Sequence, residues 1–197
     1  MNFLLREGLP HVSAGQSFFI SYREGMFKGA DVIRVLAIDQ AKTTGYAVFD
    51  EGILIDFGTI ELGRKNDLYE NILHFARQKI NELINTSDAD MVVIEDIQQQ
   101  NQNVSTYKKL AMLMGVLLCL FQENNIAYHV VPPTRWKSFC KIKGKKRTEQ
   151  KENTILFVKE KFNLDDIAED IADAISLGFY TVNNIGVSQV PSRKVKK

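Results

Sequence analysis

Asp39 and Glu95 each close a run of apolar residues, and both could carry chemistry from that position. Residues 33–39 read IRVLAID, the most apolar strand-like run of the chain, and residues 90–95 read DMVVIE. Alternation along the first run puts Ile33, Val35, Ala37 and Asp39 on one face. Carboxylates at the ends of two buried strands stand where an open α/β sheet builds its site. The plain alternative is that strand ends meet water, and acids suit water. A third acidic element, DIAEDIADAISLG at 166–178, bears on that choice. With a helical step of about 100° per residue, Asp166, Asp170 and Asp173 fall within roughly 60° of one another. Ile167, Ile171 and Ala174 flank that stripe and Leu177 falls inside it, so the acids border the face that packs on the sheet. Capping and the helix dipole account for acids in a first turn. They account poorly for Asp173, and an acid on a half-buried face calls for a cation.

Phosphodiester hydrolysis is the chemistry such a set suits. It needs an activated water and a stabilised leaving oxygen. Two Mg2+ ions about 3.5–4 Å apart supply both, and hard cations prefer carboxylate oxygen. Three or four carboxylates from separate elements could hold such a pair. His11, His74 and His129 are scattered, and Cys119 and Cys140 lack metal-ligand spacing, so nothing points to zinc.

The elements that must position these acids follow from hydrophobic periodicity. Three strands with short connections, at 33–39, 46–50 and 53–62, predict an antiparallel meander. A helix follows at 67–85, a fourth strand at 90–95, a long helix at 104–124 and a fifth strand at 127–131, stopped by Pro132 and Pro133. Further helices are expected over 148–162 and 166–181. This order predicts an α/β fold with the first strand central, beside the fourth. Residues 1–32 lack a clear period and are read as an N-terminal extension, residues 33–183 as one domain, and 184–197 as a basic tail. Cys119, in an apolar helical run, is expected in the core.

The order of these motifs resembles the RuvC family of Holliday junction resolvases. The resemblance lies in an Asp ending strand one and followed by TGYAV, a Glu ending strand four, and a late helix reading D-x-x-D-A, and it covers residues 33–182. It implies an RNase H-like fold, a mixed five-stranded sheet with helices on both faces. It implies a homodimeric endonuclease that cuts four-way DNA junctions with Mg2+, for which Mn2+ can substitute. Asp39, Glu95, Asp170 and Asp173 match the family's four catalytic, metal-holding carboxylates. NVSTYKKLAMLMGV resembles the long helix that contributes to the dimer interface. PPTRWK resembles the segment that ends in a DNA-contacting Lys, here Lys137, and Lys145, Lys146 and Arg147 are candidates for the second basic residue. Gln98 stands where many cellular members have an aromatic. The heavy basic loop and the Gln/Asn run are closer to phage-encoded members, which would place the protein in the cytoplasm of a bacterial host.

Charge distribution agrees with a polyanionic partner. Net charge is only +1, yet residues 135–151 carry eight Lys and Arg against one acid, Glu149. Lys143, Lys145, Lys146 and Arg147 are therefore candidate backbone contacts, as are Lys108 and Lys109 at the start of the long helix; a solvated surface run is the alternative. Trp136, the single Trp, could stack on a base or pack in the core. The run 110–121 is apolar nearly all round, so that helix is expected to be either deeply buried or shared with a second copy. No stretch reaches the ~20 apolar residues of a membrane span. Two other readings are a related nuclease acting on flaps or RNA–DNA hybrids, and a non-catalytic junction-binding protein. The second is disfavoured because none of the four acids is replaced.

Overall fold

The structure is a computed structural model that describes residues 34–63, 67–98 and 104–184. The proposed extension 1–32, most of the Gln/Asn run and residues 185–197 of the tail lie outside the described residues. The chain runs β1 (Arg34–Asp39), β2 (Thr43–Asp50), β3 (Ile53–Glu61), α1 (Tyr69–Ser87), β4 (Met91–Glu95), α2 (Val104–Glu123), β5 (Ala127–Val131), α3 (Pro133–Phe139), α4 (Arg147–Phe162) and α5 (Glu169–Asn184).

The strands form one five-stranded mixed sheet in the order β3-β2-β1-β4-β5. The first three are the expected antiparallel meander, while β1–β4 and β4–β5 pair in parallel. β1 and β4 are covered on both faces, which explains their unbroken apolar runs. Leu36, Ile38, Val92 and Ile94 point to one face, where they meet Ile72, Ala76, Ile80 and Ile84 of α1 and Leu113, Leu117 and Phe121 of α2. Val35, Ala37, Met91 and Val93 point to the other, under α5, Trp136 of α3 and Val158 of α4. By the two-residue period, Asp39 and Glu95 continue this second set. The sheet therefore delivers both acids to the face that α5 covers.

Four expectations change. The last helix begins at Glu169, because Asp166 has a positive φ of 50° and lies outside it; the acidic stripe keeps only Asp170 and Asp173. Pro132 and Pro133 do more than end β5. Pro133 opens α3, a short helix the periodicity missed, and its fixed φ and absent N–H suit a first helical position. Cys119 is exposed rather than buried. A single stripe of α2, Leu113, Leu117, Leu120 and Phe121, faces the sheet, and Cys119 projects away from it. Finally, α2 does qualify by length and composition as a possible membrane span, with a mean hydropathy of 1.5. In the fold that apolar stripe packs on the sheet and α1, while Val104 and Met112 on the outer side are each 52% exposed. The helix is buried along one stripe only.

Candidate functional site

Local geometry brings the carboxylates together in three steps. The first is the turn after β1. Thr44 Oγ1 donates to the carbonyl of Ala41 (2.6 Å), closing the tight return into β2 and leaving Asp39 at the strand's tip. The second is the β1–β4 junction. The ladder between these strands ends at Ile38 and Ile94, one residue before the two acids. Gln40, 5% exposed, continues the connection with its side chain, whose Nε2 donates to the carbonyl of Glu95 (2.6 Å).

The third is the seating of α5. Gly45 faces Asp39 across the β1–β2 ladder. A Cβ on Gly45 would lie 1.9 Å from the carbonyl oxygen of Asp170, so only glycine admits the helix there. Further along, Gly178 of α5 lies against Phe49 and Ala37, where a Cβ would meet the Phe49 ring at 2.4 Å. One glycine on the strand and one on the helix let α5 lie flat, with Asp170 and Asp173 at its start above the end of β1.

Electrostatics couple the four acids to one another. Asp39 is pushed well above the ordinary carboxylate range by burial, and then by the charges of Glu95, Asp173 and Asp170. Glu95 rises to about 7, chiefly by burial, with Asp173 adding to the effect. Asp173 rises to about 6, again by burial first, with Asp170 contributing. Asp170 is raised by burial and by Glu61. Like charges sharing a partly dry site disfavour one another's ionised forms.

The opposing cations are Lys137, which acts on Asp39, Glu95 and Asp173; Arg147, which acts on Glu95 and Asp173; and Lys151, which acts on Asp170 and Asp173. None of the three closes a salt bridge with the four acids; Lys151 pairs instead with Glu169.

These residues fit a divalent cation in donor chemistry. All four offer hard carboxylate oxygen, they are part-buried, and their mutual repulsion is what a cation relieves. Among the described residues, no three His, Cys, Asp or Glu side chains are already gathered as ligands of one ion. Repelling carboxylates draw in only when a cation offsets their charge.

The basic candidates divide. Lys137 and Arg147 act electrostatically on the carboxylates. Lys143, Lys145 and Lys146 project into solvent from the loop before α4, whose backbone is fastened to that helix. Gln150 Nε2 donates to the Gly144 carbonyl (2.9 Å), Asn153 Nδ2 to the Lys143 carbonyl (2.8 Å), and the Lys145 N–H to Glu149 Oε2 (2.9 Å). Lys108 and Lys109 lie on α2, on the opposite face of the sheet from α5. Lys109 Nζ sits 5.7 Å from the Tyr69 ring centroid.

Three residues next to the acids were not assigned to the site from the sequence. Gln40 gives no signal beyond following Asp39. Lys151 lies one turn after Arg147 on α4, and that spacing could have flagged it. Trp136 is fully buried, and its indole Nε1–H donates to Glu95 Oε2 (3.1 Å), which resolves stacking against core packing in favour of the core.

Residues 35–180 match the family described as "Crossover junction endodeoxyribonuclease RuvC". No curated protein matches the sequence. Among solved structures, the chain is similar to Thermus thermophilus RuvC, with 16% identity, a TM-score of 0.63, and coverage of 81% of this chain and 99% of that one. It is similar to the fowlpox virus resolvase in complex with substrate Holliday junction DNA, with 16% identity, a TM-score of 0.55, and coverage of 78% and 99%. It is also similar to the yeast mitochondrial Holliday junction resolvase, with 16% identity, a TM-score of 0.52, and coverage of 76% and 78%. At such identities the likeness is one of fold, and the fold is the RNase H-like mixed sheet.

Proposed function

Because the chain belongs to the RuvC family of crossover junction endodeoxyribonucleases, we propose that it cleaves branched DNA, four-way junctions above all, by Mg2+-dependent hydrolysis at Asp39, Glu95, Asp170 and Asp173. One observation carries this reading: Asp39 and Glu95 close neighbouring parallel strands, and the backbone of Asp170 packs against Gly45, the ladder partner of Asp39. Structural acids at a surface have no reason to be concentrated against their own repulsion. Two solved proteins of similar fold, Thermus thermophilus RuvC and the fowlpox virus resolvase, are described in complex with Holliday junction substrates.

The residues divide the work as follows. The four carboxylates hold the cations, which when bound supply a water activated for attack and stabilise the leaving oxygen. Lys137, beside three of the acids, balances their charge and meets the scissile phosphate, with Arg147 and Lys151 supporting it from α4. Lys143, Lys145 and Lys146 contact backbone phosphates along a junction arm, giving affinity with little sequence preference. Lys108 and Lys109, on the other face, contact DNA only where an arm wraps around the sheet edge. Mn2+ serves in place of Mg2+.

The active assembly is a homodimer. The outer side of α2, with Val104 and Met112 exposed, is an apolar surface that a second copy would cover. Two symmetric cuts in a four-way junction require two such sites. The nuclease domain spans 33–183, and a phage origin would place it in the host cytoplasm.

The deciding experiment incubates the protein with Mg2+ and labelled four-way, three-way, flap, RNA–DNA hybrid and linear substrates. Paired, symmetric cuts in the four-way substrate are expected. Cutting confined to flaps or hybrids would assign the chain to that related activity instead, and binding without any cutting would make it a junction-binding protein.

A further inference from the structure

Glu95 is held by side chains from two different elements, and each bond fixes a different part of it. Gln40, in the turn after β1, donates to its main-chain carbonyl at 2.6 Å. Trp136, in α3, donates to its carboxylate Oε2 at 3.1 Å. Both holders are built into the core. Trp136 is fully buried beside Val131 and Val93, and the ammonium of Lys137 lies 5.1 Å from its ring centroid. Gln40 is buried, and its Oε1 has no hydrogen-bond partner. The orientation of the amide is fixed by chemistry, since only the NH2 group can donate to a carbonyl. On its other side Glu95 remains paired with Val131 of β5, and the next N–H, of Asp96, donates to the Val131 carbonyl (2.9 Å). The backbone of Glu95 is thus anchored towards β1 and β5, and one of its two carboxylate oxygens is occupied.

We infer that Gln40 and Trp136 are positioning residues that preset Glu95 for cation binding and leave Oε1 as the oxygen it presents. This rests on the assignment of Glu95 as a metal-holding residue. A ligand whose rotamer is already fixed loses less entropy on binding, and the partners of metal-holding carboxylates are typically worth about 10–100-fold in affinity or activity. A second consequence concerns light emission. The sole tryptophan is hydrogen-bonded to the carboxylate that takes the cation, so its fluorescence is coupled to occupancy of the site.

The test uses the full-length protein without DNA. Mn2+ binding is titrated by calorimetry in wild type, Trp136→Phe, Gln40→Ala and Glu95→Gln, after circular dichroism has shown which variants fold. Trp136→Phe keeps an aromatic ring and removes the N–H donor. About a 10-fold weakening of Mn2+ affinity is expected in Trp136→Phe and in Gln40→Ala. Junction affinity in EDTA should be unchanged in both, and cleavage should recover at raised Mn2+. A role confined to packing would instead lower the melting temperature and leave the Mn2+ titration alone.

Wild-type Mn2+ affinity in folded Trp136→Phe and Gln40→Ala, with weakened affinity in Glu95→Gln, overturns the positioning role and leaves the site assignment standing. Wild-type affinity in Glu95→Gln as well overturns the assignment itself. Should Trp136→Phe not fold, Gln40→Ala and the wild-type emission carry the test. Emission should change saturably with Mg2+ in wild type and not in Glu95→Gln. An emission blind to Mg2+ overturns the coupling.

Discussion

The carbonyl oxygen of Asp170 fills the place where Gly45 has no side chain, 1.9 Å from where a Cβ would stand. Gly45 is also the ladder partner of Asp39, so a single missing methyl group sets how closely α5 approaches the tip of β1. Gly45→Ala must push the start of α5 outwards, carrying Asp170 and Asp173 with it. Displacing reacting groups by about 1 Å can cost on the order of 100-fold in rate, and overpacking typically costs about 1–3 kcal/mol of stability. Junction cleavage and thermal melting measured side by side should show both effects. A variant that cuts at the wild-type rate would refute this account of how α5 is placed.

Asp39→Asn and Glu95→Gln should each abolish Mg2+-dependent cleavage and leave junction binding in EDTA nearly intact. Both changes keep shape and remove one charge, while affinity comes mainly from the basic residues of α3, α4 and the loop between them. Gel shift and cleavage assays on the same preparations separate the two properties. Near-wild-type cutting by both variants would remove the catalytic assignment.

Stability should depend on pH in an unusual direction when the protein is kept in chelator. Glu95 and Asp173 are raised on folding, from ordinary values of 4.5 and 3.8 to about 7 and about 6. The folded chain therefore binds more protons than the unfolded chain in this interval. The stability from this source is complete below the unfolded values and is lost as pH rises through about 6 and then about 7. The melting temperature in EDTA should fall from pH ~5 to ~8, less steeply in Glu95→Gln, and Mg2+ should raise it more at the higher pH. Equal pH dependence in wild type and Glu95→Gln would contradict the raised state of Glu95.

Neutralising Lys143, Lys145, Lys146 and Arg147 together should weaken binding to junctions of many sequences alike. For every DNA phosphate that is no longer neutralised, the log–log salt dependence should flatten by about 0.9 on duplex arms. Titrations from low to moderate salt in Ca2+ compare wild type with the folded variant. An unchanged slope would mean the DNA path lies away from this loop.

Light scattering should find a homodimer, and Met112→Glu, at an exposed position of α2, should yield a folded monomer. A wild-type protein that stays monomeric at working concentration, with and without DNA, would exclude the dimer.

The central place of β1 beside β4 was legible in the sequence because both are buried on both faces and read as unbroken apolar runs, a local signature. The placement of Asp39 and Glu95 at strand ends was legible because they close those runs. The start of α5 was misread because helical periodicity continued backwards through Asp166, whose left-handed backbone is set by the incoming loop. α3 was missed because two prolines mark a strand's end as well as they mark a helix's beginning. The hydrogen bonds of Gln40 and Trp136 to Glu95 span 55 and 41 residues, and no local pattern encodes such meetings. The exposure of Cys119 depends on which stripe of a uniformly apolar helix meets the sheet, and composition is silent on that.

The seating of α5 on β1 and β2 has a consequence for how the protein is made. Asp39 is among the first described residues to be synthesised, and Asp170 and Asp173 among the last. Translation at about 5–20 residues per second leaves an interval on the order of ten seconds between them. The ribosome releases the meander and β4 long before it releases the helix that completes the acid cluster. A partly made chain can build its sheet, but it has no complete set of acids with which to cut. On the proposed assignment, a chain cut short before α5 keeps Asp39 and Glu95 but lacks Asp170 and Asp173, and would not cut DNA.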